Sequence, residues 1–260
     1  MTSIQQTRDD VSEYYGETLQ SSDDLKTSAC CPIDAMPEFM KPLLAKVHPE
    51  VSSRFYGCGS PIPPALEGKT VLDLGCGTGR DCYVLSQLVG ETGKVIGVDM
   101  TEAQLEVAKR HQQWHVEEFG QTQSNIEFHH GFIEDLAALG IEANSIDVVV
   151  SNCVINLSAD KQAVFAEIFR VLKPGGELYF SDVFSDRRLS PEQQQDKTML
   201  GECLGGAMYI EDFRRMLLRL GVYDYRTMSQ GAIALHDEEI VTMARNVSFF
   251  SATVRAFKID

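Results

Sequence analysis

The chain has 260 residues, 43% apolar and 23% charged, a globular composition that excludes disordered and fibrous classes. Acidic residues outnumber basic ones 38 to 23, for a formal charge of -15. No run of Lys or Arg offers the counter-charge a phosphate backbone requires, which argues against a nucleic-acid partner. Residues 1–25 are polar and acidic rather than a secretory signal, and no stretch approaches the ~18 apolar residues of a membrane span, so the chain reads as cytoplasmic with no membrane partner.

Residues 1–50 are interrupted by prolines at 32, 37, 42 and 49; the pattern predicts one short helix over 9–19, then loop. Residues 54–64, dense in Gly and Pro, predict an ordered loop. From residue 70 onward, strands predicted at 70–74, 94–99, 125–130, 145–151 and 177–181 alternate with helical patterns. This alternation implies an α/β fold with a doubly wound, mainly parallel sheet. Ile146-Asp147-Val148-Val149-Val150 reads as a central strand buried on both faces. A helix over 161–172 sets Val164, Ile168 and Val171 on one stripe and is stopped by Lys173-Pro174-Gly175-Gly176. A second, over 209–220, aligns Phe213, Met216, Leu217 and Leu220, and after Gly221 the pattern favours strands, the last over 247–257. Three regions follow: an N-terminal extension (1–64), a nucleoside-binding domain (65–184) and a small α+β C-terminal region (185–260).

Val71-Leu72-Asp73-Leu74-Gly75-Cys76-Gly77-Thr78-Gly79 ends a strand and opens a helix, a turn in which a ligand can lie against bare backbone. The second strand ends at Asp99, where a carboxylate can accept both hydroxyls of a ribose. A dinucleotide site spaces its glycines G-x-G-x-x-G; here the spacing is D-x-G-x-G-x-G. That form resembles motif I of the class I, Rossmann-like S-adenosylmethionine-dependent methyltransferases. The resemblance implies cofactor contacts from Asp73, Gly75, Gly77, Gly79, Asp99, Met100, Ile133, Glu134 and Tyr56, with Asp73 near the cofactor's ammonium and Gly131-Phe132-Ile133-Glu134 near its adenine.

Seven cysteines are an odd number for a disulfide framework and form no C-x-x-C pair. Cys76 and Cys82, in the glycine turn and on the following helix, read as packing residues. Cys153 follows the fourth strand, where open parallel sheets bind ligands, while Cys58 and Cys203 sit in glycine-flanked loops able to converge there. The segments Tyr14-Tyr15-Gly16, Tyr56-Gly57-Cys58-Gly59, Ser151-Asn152-Cys153-Val154-Ile155-Asn156-Leu157 and Gly201-Glu202-Cys203-Leu204-Gly205-Gly206-Ala207 resemble those of the arsenite methyltransferase family. The resemblance implies that Cys58, Cys153 and Cys203 are the arsenic-binding thiols and that Cys30 is a redox cysteine paired with Cys58. A one-residue shift in pairing would give that role to Cys31.

Trivalent arsenic is a soft centre suited to thiolates, and arsenite is neutral near pH 7, so the acidic chain does not repel it. The implied reaction is attack of the arsenic lone pair on the sulfonium methyl, without a general base. Consistently, His129 and His130, which end the third predicted strand, fall in no catalytic motif. Glutathione or thioredoxin is the implied reductant, arsenite and methylated trivalent arsenicals the substrates, and a monomer the expected state. Many family members continue past the segment matching 247–258, whereas this sequence stops at Asp260. Two other readings compete: a methyltransferase acting on O, N or C of a small organic molecule, and a non-catalytic thiol protein that sequesters metalloids. Asp73, the glycine turn and Asp99 speak against the second.

Overall fold

A computed structural model of the protein describes Arg8, Val11 and residues 37–55, 57 and 59–259. Cys30, Cys31, Tyr56 and Cys58 lie outside the described residues; within the helix expected over 9–19 only Val11 is described, and it is helical. Among the described residues, no helix is long and apolar enough to cross a membrane.

The strands are β1 (Thr70–Leu74), β2 (Lys94–Asp99), β3 (Ile126–His130), β4 (Ile146–Asn152), β5 (Leu172–Ser185), β6 (Met208–Tyr209), β7 (Tyr225–Ala232) and β8 (Phe249–Phe257). The helices are α1 (Lys41–Leu44), α2 (Pro49–Ser53), α3 (Arg80–Val89), α4 (Glu102–Arg110), α5 (Gln112–Phe119), α6 (Lys161–Val171), α7 (Pro191–Gln195), α8 (Lys197–Gly201), α9 (Ile210–Arg219) and α10 (Glu238–Ala244). One sheet runs in the order β3-β2-β1-β4-β5-β8-β7, with β6 paired to the end of β5. β1 to β5 are parallel, and β8 and β7 complete the sheet antiparallel. The order reverses between β1 and β4, so a crevice opens beyond their carboxyl ends.

Alternation along β1 feeds two cores: Leu72 and Leu74 face α6 and α9, whereas Val71 faces α3 and the N-terminal segment. β4 is buried on both sides, which its apolar run requires. A third core, including Cys153, Met199, Cys203, Leu204 and Phe249, lies under the C-terminal region.

Three local expectations change. Loop was expected up to the main domain, but Pro42 and Pro49 open α1 and α2, because proline at a helix start forfeits no hydrogen bond. Lys173-Pro174-Gly175-Gly176 does not separate α6 from a short strand: β5 begins at Leu172, passes a register shift, and extends to Ser185 because β8 pairs with it over nine residues. The strand-rich stretch after Gly221 also contains α10, whose start is capped by Asp237 accepting from the backbone N–H groups of Glu239 and Ile240.

Phe213 of α9 meets Phe165, Phe180 and Phe184 with ring centroids 5.3–5.8 Å apart, and is 1% exposed. Phe213→Ala is expected to destabilise the fold by about 3–5 kcal/mol through lost transfer energy and an unfilled cavity. A lower urea midpoint at unchanged slope checks this.

Candidate active site

The crevice beyond β1 and β4 is lined by Asp73, Gly75, Gly77, Asp99, Met100, Ile133, Glu134 and Cys153, among others. Seven of the nine expected cofactor residues therefore meet in one pocket. Gly79 is the eighth and does not line it; this glycine stands at the N-cap of α3, close to Phe128 and Ala108. Tyr56 is the ninth and is not described. At Gly77, φ is +53° and a Cβ would meet nothing within 4 Å, which leaves bare backbone facing open space.

Asp99 is fixed from two sides. Its Oδ2 accepts from Gly77 N at 2.8 Å and its Oδ1 from Thr101 N at 2.8 Å, so the carboxylate ties the end of β2 to the glycine turn. Burial nevertheless holds its pKa above the usual carboxylate range. Asp73 is buried too, accepts from Cys82 Sγ at 3.2 Å, and has its pKa raised first by burial and then by the nearby charge of Asp81. Two carboxyl groups held above their ordinary values suit a ligand that carries positive charge, whose arrival favours the ionised form.

The loop after β4 brings the cysteines together. Cys153 N donates to Ser181 O at 2.8 Å, and Cys203 Sγ donates to Cys153 O at 3.4 Å. Both cysteines have left-handed backbone, φ +58° and +61°, a conformation that non-glycine residues hold only when surrounding structure enforces it. At Cys203 the backbone is held by the cap that ends α8, where Cys203 N donates to Leu200 O at 3.0 Å and Leu204 N to Met199 O at 2.8 Å; further on, a Cβ at Gly206 would fall on the carbonyl oxygen of Asn156, so only glycine lets this segment press against the 155–157 turn. Asn152 joins the N-terminal segment to the same place, donating to Gly59 O at 2.9 Å and to Asp81 Oδ2 at 3.2 Å. Cys203 carries a thiol, whereas Cys153 is disulfide-bonded, so the two cysteines are in different oxidation states. Cys76 and Cys82 are buried thiols, as their packing role requires.

Several residues in and beneath this site were not anticipated. Asp182, fully buried on β5, accepts from Asn156 N at 3.1 Å and Val183 N at 2.9 Å, and burial pushes its pKa up to about 7. Lys161 donates to Ser158 O at 2.9 Å; burial brings its pKa down to about 8 against the opposing pull of Asp182, Cys203 and Glu134. Ser158 in turn donates to Glu134 at 2.8 Å. Arg8 reaches the pocket from the N-terminal segment, its guanidinium over the Phe132 ring and 3.7 Å from Glu134. The signal for Asp182 was its place in Ser181-Asp182-Val183, where a lone acid interrupts a buried strand; Arg8 left none.

Residues 65–221 match a family described as a methyltransferase domain. The arsenite methyltransferase of Aquipseudomonas alcaligenes is 55% identical over 96% of this chain and 72% of its own length. That of Homo sapiens is 47% identical over 96% of this chain and 67% of its own. The crystal structure of an arsenic(III) S-adenosylmethionine methyltransferase from Chlamydomonas reinhardtii superposes with a TM-score of 0.83 at 48% identity, covering 86% of this chain and 75% of that one. Likeness of this degree, over nearly the whole chain and most of each relative, makes this protein an enzyme of the arsenite methyltransferase family.

Proposed function

We propose that the protein transfers the methyl group of S-adenosylmethionine to trivalent arsenic held by cysteine thiolates. The observation that carries this reading is the meeting of Cys153 and Cys203, with the Sγ of the second against the carbonyl of the first, beside a pocket containing Asp73 and Asp99. When bound, the cofactor supplies an electrophilic methyl on a cationic sulfur. Asp73 would hold its ammonium, Asp99, which already ties the glycine turn through Gly77 N, would accept from the ribose hydroxyls, and Ile133 with Glu134 would border the base.

Cys58, Cys153 and Cys203 form the ligand set for arsenic. Three sulfurs leave the lone pair of As(III) free to point at the methyl, so no base has to remove a proton. Fixing that approach is the main catalytic task, and orientation of this kind is worth ~7–11 kcal/mol. Transfer releases S-adenosylhomocysteine and leaves arsenic pentavalent. Two cysteine thiolates then surrender an electron pair and become a disulfide, arsenic returns to the trivalent state, and glutathione or thioredoxin reduces the disulfide. The resemblance assigns this redox step to Cys30 and Cys58.

Arsenic speciation by mass spectrometry after incubation with arsenite, glutathione and S-adenosylmethionine tests the proposal. Methylated arsenic is expected, and Cys203→Ser should lower its rate by about 100-fold through lost positioning; a variant that still methylates at the wild-type rate would remove this thiolate from the mechanism. Cys30→Ser should slow the first methylation of arsenite more than methylation of an already methylated trivalent arsenical, with Cys31→Ser deciding between the neighbours. Equal losses on both substrates would exclude a redox role.

Because the pKa of Asp73 is raised in the free protein, its proton must leave as the cofactor ammonium arrives. Cofactor affinity is therefore expected to rise with pH from about 6 to about 7.5, below the titration of the amino group itself near 8. Calorimetry in buffers of different ionisation enthalpy should detect the released proton, and Asp73→Asn should abolish the release.

A further inference from the structure

Three of the six histidines converge at a point that the proposed reaction does not use. His48 caps the N-terminus of α2, Glu50 lies in the first turn of that helix, His111 occupies the joint between α4 and α5, and His115 follows on α5. The rings of His48 and His111 stack with centroids 3.7 Å apart, and Trp114 stands edge-on to His48 at 5.0 Å. His111 Nε2 is 2.6 Å from Glu50 Oε2. One ring nitrogen from each of these two histidines and a carboxylate oxygen of Glu50 all lie within 4.8 Å of one another, on half-buried side chains.

The groups behind this trio hold it in place. His115 is buried, with Nδ1 on His111 O at 2.8 Å and Nε2 accepting from His48 N at 3.1 Å. Both of its nitrogens are occupied, so it serves as a brace that links the backbones of the two outer histidines. Arg110 takes the other oxygen of Glu50, Oε1, at 3.1 Å, which leaves Oε2 directed toward His111. Partners of this kind, which orient ligands without touching the ion, accompany protein metal sites.

We propose that His48, Glu50 and His111 bind a divalent transition-metal ion of the zinc class, with two imidazole nitrogens and one carboxylate oxygen as ligands and water in the fourth position. The donor set decides the class: imidazole suits zinc and its neighbours, whereas calcium and magnesium take oxygen. Ligand distances of about 2.0–2.2 Å require the three side chains to close slightly around the ion. Any proton on His111 Nε2 passes to solvent on ligation, and the hydrogen bond to Glu50 is replaced by two bonds to the metal.

Such an ion joins the N-terminal extension to the methyltransferase domain at a mechanically relevant place. The carbonyl of Val51 in α2 accepts from the Thr78 hydroxyl of the glycine turn at 2.9 Å, and Arg54 and Phe55, just past α2, line the cofactor pocket. Pinning α2 to the α4–α5 joint therefore fixes one wall of the pocket.

Titration of the full-length, reduced protein with cobalt(II) chloride tests the site. The expected result is a tight equivalent with the visible d–d absorption of a four-coordinate ion and no thiolate-to-cobalt charge transfer, competed away by zinc. His111→Ala and Glu50→Gln should each weaken that binding by about tenfold or more. Cobalt absorption that neither variant alters, or no binding free of thiolate charge transfer, overturns the proposal. A readout needing no variant is histidine-selective NMR of the wild-type protein. Zinc should shift the ring signals of His48 and His111 and leave those of His129, His130 and His236 in place; unmoved His48 and His111 signals at saturating zinc also overturn it.

Discussion

The parallel register of β1, β4 and β5 is the constraint on which the site depends. Leu74 pairs with Ser151, Ser151 with Phe180 and Asn152 with Ser181, so β1 and β4 end at nearly one level while β5 runs on past it to Ser185. One step beyond that level come the glycine turn, Cys153 and Asp182. Each chemical group is supplied by a different strand, and none could reach the others if any strand slipped by a residue, since a slip of one exchanges the two faces. The strand order adds the second requirement: the loops after β1 and β4 part in opposite directions, and the crevice between them is where Asp73 and Cys153 meet.

Packing that tight forces the buried acids into an unfavourable environment. Asp73, Asp99 and Asp182 all have raised pKa values, with burial the leading cause in each. Fixed backbone donors restrain the effect at Asp99 and Asp182, whereas Asp73 has a thiol and a neighbouring carboxylate instead. A cationic ligand relieves this strain more at Asp73 than at the other two. The acidic balance of the whole chain is a separate matter. It bears on solubility and encounter, and an uncharged substrate such as arsenous acid would be indifferent to it.

How much of this could be read from the sequence depended on whether the controlling interaction was local. β1 and β2 fall on their expected residues, and β3 and β4 within one, because their apolar runs are bounded by glycine, asparagine or serine punctuation. The D-x-G-x-G-x-G turn was legible for the same reason. The full length of β5 was not, since residues 182–185 are held in the sheet by β8, some seventy positions away. Nor was α10, a seven-residue helix whose clearest mark is a single capping aspartate. At the cysteines, the motif Gly201-Glu202-Cys203-Leu204-Gly205-Gly206 announced a special conformation, but the close approach of Gly206 to the carbonyl of Asn156 that seats the segment is a tertiary fact. The His48, Glu50 and His111 cluster joins residues some sixty positions apart and gave no sequence signal at all.

The cysteines show how position, not residue type, assigns chemistry. Cys82 is fully buried, donates to Asp73, and has its pKa raised well above the ordinary thiol value by burial first and by its Cys76 neighbour next. Cys76 is pushed up to about 11, again mainly by burial. A thiol reacts with soft metalloids as its thiolate, so both are poor ligands although Cys76 borders the pocket. Placing Asp73 where it can meet a cation also sets a carboxylate beside these two sulfurs, and that same carboxylate suppresses their ionisation. Cys153, which lines the pocket, and Cys203, whose Sγ donates to the Cys153 carbonyl, lie in left-handed backbone rather than on a regular helix, with Lys161 near Cys203. Burial and the neighbouring acids together thus keep the Cys76 and Cys82 thiols on the cofactor side of the pocket protonated.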